Sequence, residues 1–106
     1  GLWDKVEPKL IYGENIAATA QYVQTGNAQV GLIALSLALN PVLASKGGYS
    51  LIDNKLHSPL EQGFVITKRA ASNVLAKRFA DYMFSKPART LMTKYGFVLP
   101  AEQSAR

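Results

Sequence analysis

The chain has 106 residues, no cysteine, one histidine and a formal net charge of +5 at pH 7. The length bounds it to one small domain, and a hydrophobic share of 48% is too high for a disordered tail. The absent thiols exclude a disulfide scaffold, a thiolate zinc site and a cysteine nucleophile, and the lone His57 excludes a histidine cluster for a metal. Residues 2–6 read as the last turn of a helix closed by Pro8. Residues 9–12 predict a short apolar strand, followed by a turn at Gly13-Glu14-Asn15. Asn15 suits a helix N-cap, because its side-chain carbonyl can accept from a free amide one turn in. Ile16, Ala20 and Val23 then share one helical stripe, with Tyr22 beside it, and Gly26 suits the left-handed residue that ends a helix. Residues 30–35 are apolar throughout and predict a strand covered on both faces.

Residues 36–43 predict a short helix capped by Ser36 and broken at Asn40-Pro41, with a loop at Ser45-Lys46-Gly47-Gly48. Residues 49–52 predict a third strand, 53–59 a polar connector holding His57, and 62–67 a fourth strand cored by Phe64, Val65 and Ile66. Residues 70–85 predict the longest helix, burying Leu75, Phe79, Tyr82 and Met83, with Asp81 able to pair with Lys77 or Arg78 on the other side. Ser85 and Pro87 open a second helix, whose apolar side is Leu91, Met92 and Tyr95 and which Gly96 stops. Residues 97–100 form a terminal packing segment, and 101–106 a frayed end. Strands alternating with helices, then a helical pair, are the pattern of an α/β fold with a parallel sheet.

The chemistry in this pattern is concentrated at the helix opening near Asn15-Ile16. A helix start after a strand is a natural anion site, because its first amides lack partners inside the helix. Elsewhere the signals are structural. The longest apolar run, residues 30–39, is too short to cross a membrane. The basic residues are scattered in runs no longer than two, which reads as solvated surface and not as a nucleic-acid footprint. Gly47-Gly48 lacks the Lys-Ser/Thr that follows a phosphate loop. Glu14 and Glu61 have no spacing for acid–base work, His57 reads as a surface residue, and no catalytic residue is expected. Tyr12 and Tyr49 read as core residues with wet hydroxyls, and Met83, Phe84, Leu91 and Met92 as core.

Several segments in order resemble one family, the periplasmic molybdate-binding proteins of ABC importers, which have the type II periplasmic binding protein fold. They are Leu2-Trp3-Asp4, Lys9-Leu10, Glu14-Asn15-Ile16, Gly26-Asn27-Ala28-Gln29-Val30-Gly31-Leu32-Ile33, Ala44-Ser45-Lys46-Gly47 and Lys94-Tyr95-Gly96-Phe97. The resemblance implies a periplasmic, two-lobed α/β protein with a parallel or mixed sheet flanked by helices. It captures molybdate or tungstate, with the molybdenum held as oxyanion, and delivers it to a membrane permease without enzymatic chemistry or a cofactor. Family members are considerably longer, so the chain reads as a carboxy-terminal part without its signal peptide. Residues 1–55 would be the second half of lobe two, and 56–106 the return segment with the carboxy-terminal part of lobe one. The missing amino-terminal part would supply the serine hydroxyl ligands. By motif position, Ile16 matches the residue whose backbone N–H binds the oxyanion. Ala34 stands where many members have a tyrosine whose hydroxyl donates, so that donor is absent here. The alternative is a truncated fragment that binds no ligand itself and associates, or swaps elements, with a partner chain.

Overall fold

The computed structural model describes residues 1–100, and the chain divides into two units, Gly1–Tyr49 and Ser50–Arg106. In the first unit, α1 (Trp3–Val6) runs directly into a 3-10 turn at Glu7–Lys9 that carries Pro8. Next comes α2 (Ile16–Gln24), opened by Asn15, whose Oδ1 accepts from Ala18 N at 2.9 Å. It closes at Gly26, where φ of +80° suits only a residue without a Cβ. Two single turns follow, α3 (Leu35–Ala38) and α4 (Pro41–Ala44). Asn40 caps α4 by accepting from Val42 N at 3.0 Å, with Pro41 at the first helical position. Ser36 lies inside α3 and does not cap it: Ala34 holds the cap position and offers no side-chain acceptor.

Between α2 and α3 the chain turns back across the helix. A Cβ on Gly31 would lie 2.5 Å from Val23 Cγ2, so Gly31 passes with no room for a side chain. The exposure of this stretch alternates: Val30 and Leu32 are 83% and 73% exposed, while Gly31 and Ile33 are half-covered. That is the period of a strand, but none of the amides of residues 29–34 has a backbone partner among the described residues.

The second unit begins with a 3-10 turn at Asn54–Leu56, capped by Asp53 through Lys55 N at 2.9 Å, and has another at Lys68–Ala70. Then come α5 (Val74–Met83) and α6 (Lys86–Lys94). The helical pair stands where the sequence predicts it, except that α5 begins at Val74 and not at residue 70. Asn73 Oδ1 accepts from Leu75 N at 2.9 Å and Ala76 N at 3.3 Å, which sets the start. Asp81 forms no ion pair with Lys77 or Arg78 among the described residues. Ser85 caps α6, and Gly96 (φ +83°) ends it in a Schellman turn, Gly96 N to Thr93 O at 3.0 Å and Phe97 N to Met92 O at 3.1 Å. Arg89 Nη2 donates to Pro100 O at 3.2 Å, so the segment after the turn is tied back to α6. The Phe64 and Phe84 rings lie 6.0 Å apart, tilted by 50°.

Two expectations are not met within the described residues. The four predicted strands, at residues 9–12, 30–35, 49–52 and 62–67, form no ladder, and the described residues contain helices and turns but no strand. A strand exists only through its partner, and these segments do not pair with one another. The expected core is also missing. The buried apolar residues among those described are Ala20, Ala38 and Ala88, at 8%, 7% and 6% exposure. Leu75, Phe79, Tyr82, Phe84 and Leu91 are exposed, as are Tyr12 and Tyr49, while Met83, Met92 and Tyr95 are half-covered. An apolar face is buried only against an opposing layer, and within either unit the described residues supply none. The expected frayed end, 101–106, lies outside the described residues.

Candidate functional site

The candidate site is the opening of α2, and its local structure follows from three residues. Asn15 is extended (φ −153°, ψ 172°), which lets its side chain fold over the first turn and take Ala18 N. Thr19 returns to the same residue from inside the helix: both Thr19 N (3.1 Å) and Thr19 Oγ1 (3.2 Å) donate to Asn15 O. Gly13 closes the arrangement, since a Cβ there would collide with the Thr19 hydroxyl and lie 2.7 Å from Thr19 N. The loop is therefore pressed onto the first turn, and both Asn15 oxygens, Oδ1 and O, are already engaged with Ala18 or Thr19.

What is left over is the pair of amides at Ile16 and Ala17. Neither donates to any acceptor among the described residues. Ile16, at 50% exposure, and Ala17 are both exposed residues. They sit at the positive end of a nine-residue helix. The first turn of α2 holds no acidic side chain to occupy them. The nearest carboxylate in sequence is that of Glu14, which is exposed.

Ala34 stands in the same unit, extended (φ −67°, ψ 141°) and half-buried, as the residue before α3. Its carbonyl accepts from Leu37 N and Ala38 N at 3.0 and 3.2 Å, and its side chain has nothing to donate. The remaining sequence candidates stay apart from this opening in their local bonding. His57 is exposed, with Nδ1 2.8 Å from Ser58 O. No group of three or more His, Cys, Asp or Glu capable of holding a metal occurs among the described residues. No described helix is long and apolar enough to cross a membrane. Sequence reasoning found the cap and the first helical residue but missed Gly13 and Thr19. A glycine two residues before an N-cap, followed by threonine four after the cap, is the pattern that marks them.

The profile of the bacterial extracellular solute-binding protein family matches residues 1–98, and the chain belongs to that family. Among its relatives, the molybdate-binding protein ModA of Rhodobacter capsulatus is 33% identical over 99 residues, covering 92% of this chain and 38% of the relative. ModA of Azotobacter vinelandii is 31% identical over 99 residues, covering 93% and 39%. The YvgL protein of Bacillus subtilis is 33% identical over 96 residues, covering 91% and 36%. The chain thus spans less than two-fifths of the length of the curated relatives it matches. No solved structure matches it.

Proposed function

We propose that this chain is the carboxy-terminal part of the substrate-binding component of an ABC importer, and that the whole protein captures molybdate or tungstate in the periplasm and passes it to a membrane permease. The observation that carries this is the pair of amides at Ile16 and Ala17, unpartnered among the described residues and belonging to two exposed residues at the start of α2. Neutral donors at the positive helix end hold a dianion without a cationic side chain. The similarity to two molybdate-binding proteins over nine-tenths of the chain supports the choice of ion. On this proposal residues 1–55 belong to lobe two and 56–106 largely to lobe one. The four unpaired segments become strands of an α/β sheet when the rest of the protein supplies their partners. Ile16 N–H is an oxyanion donor. Ala34 gives none, so either another group substitutes for the family tyrosine or the site has one bond fewer. The lobes close on the ion by hinge motion. Sulfate is rejected because a smaller anion leaves donors unpaired, each costing roughly 1–3 kcal/mol.

The test is calorimetric titration of molybdate, tungstate and sulfate into this chain and into one extended at its amino end. The extended chain is expected to bind the two metal oxyanions and not sulfate. The 106-residue chain is expected to gain no thermal protection from micromolar molybdate, because half the donor set lies elsewhere. Failure of the extended chain to bind molybdate would overturn the function, and protection of the short chain would overturn the allotment of donors.

A second reading is favoured by the exposed apolar faces: a fragment without ligand binding of its own that associates or exchanges elements with a partner chain. A compact monomer in size-exclusion chromatography with light scattering would exclude it.

A further inference from the structure

We infer that Thr19 is a positioning residue for the oxyanion donor at Ile16, acting through the peptide bond that joins Asn15 to Ile16. Among the described residues no peptide bond is cis. That unit is therefore planar, with Asn15 O and the Ile16 N–H pointing in opposite directions. Whatever holds the oxygen also aims the hydrogen. Two donors hold it, both from Thr19: N at 3.1 Å and Oγ1 at 3.2 Å. The first is the ordinary helical bond, which any residue but proline makes. The second needs a hydroxyl side chain. Together they engage both lone pairs of the carbonyl, so turning the peptide over would break two bonds. A peptide turned over would present its oxygen to an anion and not its hydrogen. Two accepted bonds also polarise the amide, which makes its N–H the stronger donor.

A threonine hydroxyl bonded to the carbonyl one turn back is ordinary in a helix and slightly destabilising. Thr25 does the same at the other end of α2, donating from Oγ1 to Gln21 O at 2.9 Å. The two differ in the peptide they hold. Tyr22, which follows Gln21, lies inside the helix, whereas the Ile16 amide has no acceptor among the described residues. The Thr19 hydroxyl is also confined. Thr19 is half-buried, and a Cβ on Gly13 would collide with Oγ1, so the bare glycine leaves the space that the hydroxyl uses.

The inference rests on the function proposed above, and the experiment separates the two. Thr19→Val keeps the branched shape and removes the hydroxyl. In the amino-extended chain, calorimetry should find molybdate binding weakened about fivefold in Thr19→Val, and within about twofold of wild type in both Thr19→Ser and Thr25→Val. Helix content by circular dichroism should hold in all three. In the NMR spectrum of this chain without any anion, the Ile16 amide proton should move upfield in Thr19→Val and stay in place in Thr19→Ser. Wild-type extended chain that binds no molybdate would overturn the function. Binding by wild type with no loss in Thr19→Val, or an equal loss in Thr25→Val, would overturn the inference and leave the function standing. An Ile16 signal unmoved in Thr19→Val would overturn the inference whatever the titration gives. Loss of helix in Thr19→Val would do so too, since the hydroxyl would then serve the fold.

Discussion

Gly31→Ala puts a methyl group 2.5 Å from Val23 Cγ2. Val23 lies in α2, where a β-branched side chain has essentially one rotamer and cannot swing aside. Overpacking of this kind costs about 1–3 kcal/mol. The alanine also restricts the unfolded chain, which offsets about 0.4–1 kcal/mol. Gly31 is not one of the glycines with positive φ, so its backbone accepts alanine and no further strain enters. The net expectation is a destabilisation of roughly 1–2 kcal/mol, confined to the first unit. Urea unfolding followed by far-UV circular dichroism measures the total, and hydrogen exchange at the α2 amides locates it. Val23→Ala removes the colliding methyl, so the double variant should recover about 1 kcal/mol relative to the two single changes added. A neutral or stabilising Gly31→Ala, or two changes that simply add, would show that residues 30–34 do not cross α2 as described.

Asn15→Asp keeps the cap on Ala18 N but places a negative charge beside the Ile16 amide; helix content should hold while oxyanion affinity in the amino-extended chain falls severalfold by calorimetry. Asn73→Ala removes the acceptor for Leu75 N and Ala76 N and should lower the stability of α5 by about 1 kcal/mol, read by circular dichroism. Gly96→Ala forces a Cβ into φ of +83° and should destabilise the second unit by about 1–2 kcal/mol, with faster exchange at the Phe97 amide.

Helix ends were legible in the sequence because they are local chemistry. Asn15, Asn40-Pro41, Ser85-Pro87, Gly26 and Gly96 each act within a turn of their own position, and the structure uses them so. The start of α5 was read about four residues early because the alanines at 70 and 71 continue a helical composition, while Asn73 sets the boundary through two hydrogen bonds. Ser36 suggested a cap by residue type, but a cap must precede the first turn and Ser36 lies within it. The strands were legible only as apolar runs. Their pairing depends on residues distant in sequence, and no such partner is present among the described residues of either unit. The candidate site divides the same way: the free amide at Ile16 follows from the helix start, whereas the fit of Gly13 against Thr19 is a tertiary fact.

The alternating bareness of residues 30–33 has a consequence for handling the protein. Residues 30–35 carry no charge and no proline, and their backbone donors are unspent. Such a ribbon is a seed for cross-β stacking, each copy offering its neighbour a row of amides and a dry aliphatic side. Raising the concentration of the separate chain is therefore expected to favour pairing between copies through this ribbon.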